Sequence, residues 1–212
     1  MFRLLFFLLK IVAFFVLPFI LLIRGSIHLH ATNQYPPSIC LMGGMFLAII
    51  AITIYLVFFY GRITGEVGSL KRKLWMALVL VLGYGIHGLF VFSINNSKTA
   101  EVKREFLQLH PILRVSVSTL IHLDKSLIIT DANRQPEDYR KMGMSSKKHS
   151  LHYRQSSGYA HALDIRTKGR GMVRNYLIRS YFQLMGFNTL RHGGTADHLH
   201  ISLLSHDRPK AI

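Results

Sequence analysis

The segment Ser150-Leu-His152-Tyr-Arg-Gln-Ser-Ser-Gly158-Tyr-Ala160-His161-Ala-Leu-Asp164-Ile165, read with Asp197-His198-Leu-His200, decides how this chain is understood. It sets the Asp164 carboxylate between the imidazoles of His152 and His200, and a second carboxylate, Asp197, three residues ahead of the last imidazole. Catalytic zinc takes three protein ligands of these types and leaves its fourth position to water, which then loses a proton near neutral pH. His152, Asp164 and His200 are therefore the candidate Zn2+ ligands, and Asp197 is the candidate general base. His161, three residues before Asp164, is a rival for the first ligand position, since a tight turn would present both to one ion. Residues i and i+2 of a strand share a face, so His198 and His200 can look at the same metal. Asp197 would have to sit in the turn that Gly193-Gly194 permits.

Taken in order, Ser150-x-His152, Gly158-x-Ala160, Asp164-Ile165 and Asp197-x-x-His200 before an apolar run resemble the zinc D-alanyl-D-alanine peptidases. That family includes vancomycin-resistance D,D-peptidases and phage L-alanyl-D-glutamate endolysins. Leu127-Ile-Ile-Thr-Asp-Ala-Asn-Arg134 resembles the family's strand followed by a fixed arginine, and the likeness covers residues 100 to 205. It implies a small α+β domain with a mainly antiparallel sheet cradling one zinc. It also implies hydrolysis of a peptide bond in peptidoglycan, as a D,D-carboxypeptidase or an endopeptidase on a peptide containing D-amino acids. Arg134 would stabilise substrate and developing oxyanion. Eleven residues separate His152 from Asp164, more than in that family, so the excess must bulge out as a longer turn. The lysostaphin-like endopeptidases end in a similar Gly-Thr-x-x-His-Leu-His run and use the first His for acid–base work, which makes His198 the alternative to Asp197.

Upstream, the chain is too apolar for an ordinary soluble domain, with half of its 212 residues hydrophobic. The excess lies in residues 1–93, where 4–23, 39–60 and 74–92 each approach the roughly 20 residues that cross a bilayer. Lys10 and Pro18 interrupt the first stretch, and Pro18 is expected to kink it. The loop between the second and third carries Arg62, Lys71, Arg72 and Lys73 against Glu66, which assigns it to the cytoplasm. The resulting expectation is a multi-pass protein of the bacterial inner membrane whose residues 94–212 form an extracytoplasmic, periplasmic domain.

The formal charge of +16 divides into +6 on residues 1–93 and +10 on 94–212. A basic exported domain is drawn to anionic wall polymers and membrane lipid. Nucleic-acid motifs are missing, so no nucleic-acid partner is expected. Cys40 is the sole cysteine, which excludes an intrachain disulfide and a cysteine metal site. After the polar stretch Ser93–Lys98 comes a helix capped by Thr99, a second over 115–123, a strand over 126–130, and a loop at 142–149 rimming the cleft. Residues 152–166 should then form a hairpin or bent strand pair. A helix over 169–187 is expected to group Val173, Leu177, Tyr181 and Leu184 on one side and to stop at Gly186. Strands over 188–191 and 198–204 would close the site. Two other functions stay open: a catalytically silent zinc or wall-binding module anchoring a larger membrane assembly or oligomer, and a pore formed by the membrane half.

Overall fold

The computed structural model describes all residues except 1, 61–64, 66–67, 142, 144–148, 195–196 and 212. Most of the rim loop expected at 142–149, and Thr195-Ala196, lie outside the described residues. Two compact units are formed, 1–87 and 88–212.

The first unit is helical. Helix α1, Phe2–Asn33, is bent by 43° between Phe2–Val12 and Val16–Asn33. The bend falls in the turn before Pro18, whose ring lacks an N–H and crowds the carbonyl four residues back. This helix runs ten residues past the expected end at 23, because nothing breaks it until Gln34 turns left-handed (φ 52°) ahead of Pro36-Pro37. Helix α2, Pro37–Tyr55, continues through one π-turn, Leu56–Tyr60, and α3 spans Leu70–Phe90. Pro37–Phe59 and Leu70–Phe90 are long and apolar enough to cross a membrane, and the bent α1 is a third if its two arms count as one span.

Helices α1 and α2 meet at Gly44. A Cβ there would lie 2.0 Å from the backbone oxygen of Leu22 and 2.1 Å from Ser26 Oγ. Only hydrogen fits, the small-residue contact by which apolar helices approach closely. Gly44→Val is expected to destabilise this helix pair by roughly 1–3 kcal/mol through overpacking. Unfolding of the full chain in mixed detergent measures the effect, and a parent-like profile would contradict the close approach.

The second unit is α+β. Helix α4, Ala100–Glu105, starts at Thr99, whose hydroxyl accepts from Val102 N, and α5, Pro111–Leu123, follows. Then come β1 (Ile129–Asp131), α6 (Pro136–Lys141), β2 (Ala162–Arg166), α7 (Met172–Met185), β3 (Asn188–His192) and β4 (His198–Ser202). The four strands form one antiparallel sheet in the order β1-β2-β4-β3. The polar stretch Ser93–Lys98 belongs to this unit. Lys98 N donates to Ile129 O, and the Asn96 amide donates to the carbonyls of Lys125 and Leu127, so the segment covers the β1 edge.

Strand alternation sorts the sheet into two faces. Leu163, Ile165, Leu199 and Ile201 are buried on the apolar face, while Asp164, His198 and His200 occupy the other. Helix α7 buries Asn175, Ile178, Phe182 and Met185. Val173, Leu177 and Leu184, grouped on one side as their spacing indicates, lie on the side the core leaves exposed. Both stripes are apolar at helical spacing, and the heavier one, with Phe182, takes the core. Gly186 stops the helix in a left-handed conformation (φ 100°), with its N–H bonded to Gln183 O and Phe187 N–H reaching Phe182 O.

The long interval between His152 and Asp164 folds out as a small hairpin. Arg154 pairs with Ala160, Gln155 N donates to Tyr159 O, and Gly158 makes the turn at φ 80°. The chain's end holds this hairpin. The Asp207 carboxylate accepts from Ser156 N and Oγ, and Ser205 Oγ donates to Gln155 Oε1.

Candidate metal centre

Asp164 and His200 are cross-strand partners in the β2–β4 register, so their side chains rise from the same face as a pair. His152 arrives from the loop before the hairpin. Its carbonyl accepts from Arg134 N, and its N–H donates to Ser150 Oγ, which also receives the Tyr139 hydroxyl. The serine of Ser-x-His therefore fixes the backbone that delivers the imidazole.

Three donor atoms converge. Asp164 Oδ1 lies 2.8 Å from His200 Nδ1 and 3.4 Å from His152 Nε2, and the two nitrogens are 3.2 Å apart. Metal–ligand bonds of about 2.0–2.1 Å in tetrahedral array place donors roughly 3.3 Å from one another, so the spacing suits one small divalent ion. All three residues are buried, with exposures of 4%, 3% and 7% for His152, Asp164 and His200. His200 Nε2 is also buried without a hydrogen bond, and His152 Nδ1 faces the Asp131 carboxylate. This group could hold a metal ion.

The electrostatics agree with a cation-ready site. Burial opposes ionisation of Asp164, yet the neighbouring imidazoles of His152 and His200 outweigh it and hold the carboxyl well below its usual range. Burial likewise disfavours imidazolium at His152, but Asp164 and then Asp131 overcome it and raise its pKa. A dication can occupy the position this proton takes.

His161 is directed elsewhere. Its Nε2 lies 2.8 Å from Ser157 Oγ and its Nδ1 3.1 Å from Leu204 O, so both ring nitrogens serve the hairpin and the chain end. Odd–even alternation along the approach to β2 explains this, because 161 and 164 fall on opposite faces.

Arg134 reaches the centre through carboxylates. Its Nε and Nη2 donate to Asp131 Oδ2 at 2.8 and 2.5 Å, and Nη2 is 3.5 Å from Asp164 Oδ2. The guanidinium also lies over the Tyr139 ring at 4.8 Å. Asp131, in turn, sets Oδ1 3.3 Å from His152 Nδ1. Sequence reading left Asp131 without a role, although its Asp-x-x-Arg spacing at the end of a strand was the available sign. A carboxylate behind a ligating imidazole fixes its orientation and raises its basicity. Asp131→Asn is expected to weaken metal affinity about 10–100-fold. Competition with a chromogenic chelator reads this directly, and unchanged affinity would deny Asp131 that part.

Asp197 stands at the start of β4 with its carboxylate on Arg191, at 2.8 Å from Nη2 and 3.1 Å from Nε. Arg191, assisted by Thr167, pushes its carboxyl down to about 2. His198 instead lies over the centre, with Nε2 3.6 Å from Asp164 Oδ2 and a side chain 26% exposed. His192, opposite His198 in the β3–β4 register, stacks on it at 4.8 Å between ring centroids.

Comparison of the chain with protein-family models, curated proteins and solved structures finds no match.

Proposed function

We propose that this chain is a membrane-anchored zinc peptidase that hydrolyses a peptide bond of peptidoglycan. The observation that carries the reading is the convergence of His152 Nε2, Asp164 Oδ1 and His200 Nδ1 to within 3.4 Å of one another on a polar sheet face. The order of the Ser-x-His, Gly-x-Ala, Asp-Ile and Asp-x-x-His motifs supplies the substrate class. Bound there, Zn2+ would supply Lewis acidity, polarising a carbonyl and acidifying water near neutral pH. In this reading the peptidase domain lies on the outer side of the bacterial inner membrane, where the wall is.

The remaining chemistry belongs to the chain. A proton must move from the attacking water to the leaving amine, and the carrier must be basic near neutral pH and reachable from solvent. His198 has the position, above Asp164 and partly exposed. Asp197, paired with Arg191 and titrating at about 2, is the weaker base. Arg134 has two of its donor nitrogens on carboxylates, so its first service is to hold Asp131 and Asp164 in place. A developing oxyanion would still gain from its positive charge.

The test is digestion of purified cell wall by the detergent-solubilised full chain, with mass analysis of released muropeptides and metal content of the protein. His152→Ala is expected to abolish both metal retention and cleavage. His161→Ala should keep one equivalent of metal. The reverse result would move the first ligand to residue 161. Bound zinc without cleavage of any wall preparation would favour the silent wall-binding module instead.

A further inference from the structure

Helix α7 has two apolar sides, and the core uses only one. With about 100° of turn per residue, Asn175, Ile178, Phe182 and Met185 share one side and Met172, Val173, Tyr176 and Leu177 the opposite one. The second group is exposed by 82%, 73%, 68% and 61%. On the helical wheel Arg174 and Arg179 fall at the two borders between these stripes. Both are exposed, and Arg174 also pairs at 3.4 Å with Asp124. No acidic residue occurs anywhere in the helix. Lys168 and Arg170 precede it, Arg170 being held by Asp124 and Ser126.

An apolar stripe with cationic borders, on a helix whose other side is anchored in a core, is the pattern of a segment lying in a bilayer interface. Arginine stems reach along the apolar boundary while their heads meet phosphate. We propose that the Met172–Leu177 face of α7 rests on the anionic phospholipid surface of the bilayer that holds the chain's own apolar helices. The inference relies on the reading of those helices as membrane spans and is independent of hydrolysis. Charge favours this occupant, since the whole chain carries +16 and each exposed arginine near an anionic leaflet adds to the attraction. Tethering favours it too. Helix α3 ends at Phe90 and α4 begins at Ala100, so the covalent link keeps the domain at high effective concentration over one membrane.

The test places one indole on the face, in the full chain carrying Trp75→Phe and Leu177→Trp. The protein is reconstituted in vesicles of phosphatidylglycerol and phosphatidylcholine in equal parts, or of phosphatidylcholine alone. Phospholipids brominated high on their acyl chains quench an indole at interface depth, and aqueous acrylamide quenches one in water. The expected result is blue-shifted emission, strong bromolipid quenching and weak acrylamide quenching in the anionic vesicles. Bromolipid quenching should fall at least two-fold in phosphatidylcholine alone, or on adding Arg174→Glu and Arg179→Glu. Free acrylamide access in anionic vesicles, with no bromolipid quenching, would show the face in water and overturn the proposal. Protection from both quenchers would show the face covered by protein, such as a second copy, and would overturn it equally. Near-ultraviolet circular dichroism matching the parent confirms that each variant is folded.

Discussion

Replacing His198 by alanine is expected to slow wall-peptide hydrolysis about 10²–10⁴-fold while leaving metal content unchanged, the loss typical of a missing proton carrier. His198 and His200 leave β4 on the same face, but only His200 meets the Asp164 oxygen at hydrogen-bond distance, 2.8 Å from Oδ1. His198 stays 3.6 Å from Oδ2, keeps partial exposure and stacks on His192, a position from which it can take a proton from water and hand it to an amine. Asp197→Ala, by contrast, removes an exposed, solvent-screened pair with Arg191 on the β3–β4 hairpin. Its rate should stay within a few-fold of the parent. Steady-state cleavage of a defined muropeptide by the two variants, at equal metal loading, separates the two bases. A hundred-fold loss in Asp197→Ala with near-parental His198→Ala would reassign the proton transfer to the carboxylate.

How far the sequence foretold this arrangement depends on which physical signal each residue left in it. Asp164 and His200 were legible as a donor set from residue type and motif order, but alternation marks each run as a strand without naming its partner, so the β2–β4 pairing that joins them was not. Gly186 announced the end of α7, and Pro18 the bend in α1, since both act through local backbone geometry. Choosing His152 over His161 was harder. The two are told apart by a hairpin whose closure rests on Asp207 and Ser205, more than forty residues downstream. The core face of α7 was not legible for a related reason: periodicity says that a helix has apolar stripes, and only the tertiary partner says which stripe is covered. Asp131 left only its Asp-x-x-Arg spacing, which points to the pair with Arg134, whereas its place behind the His152 imidazole is set through space.

Asp164→Asn is expected to leave the protein unable to retain zinc at concentrations that saturate the parent, and without wall-cleaving activity. The carboxylate is the only anionic donor among the three ligands, and its amide analogue presents a neutral oxygen and an N–H to two imidazoles. The metal-free fold should suffer as well. Asp164 is 3% exposed and faces His152, His200 and Arg134, and breaking one side of a buried charge cluster costs roughly 3–5 kcal/mol. The pH dependence follows from the directions of the two shifts. His152 has a raised pKa, so its stabilisation of the metal-free fold is complete below the unfolded value near 6.5 and is lost as pH rises through the higher folded value. Asp164 has a depressed pKa, so its contribution is present above about 4 and is lost as pH falls through the lower folded value. Zinc needs the same His152 nitrogen without its proton. Its affinity should therefore rise by about tenfold per pH unit until His152 is neutral, just where the metal-free fold weakens. Denaturation of the parent with and without zinc, scanned from pH 5 to 9, should show the two stabilities diverging upward in pH. In Asp164→Asn the divergence should vanish, because neither the proton nor the metal retains its anionic partner. Parallel curves for the parent would mean that the ion, if bound at all, does not compete for His152.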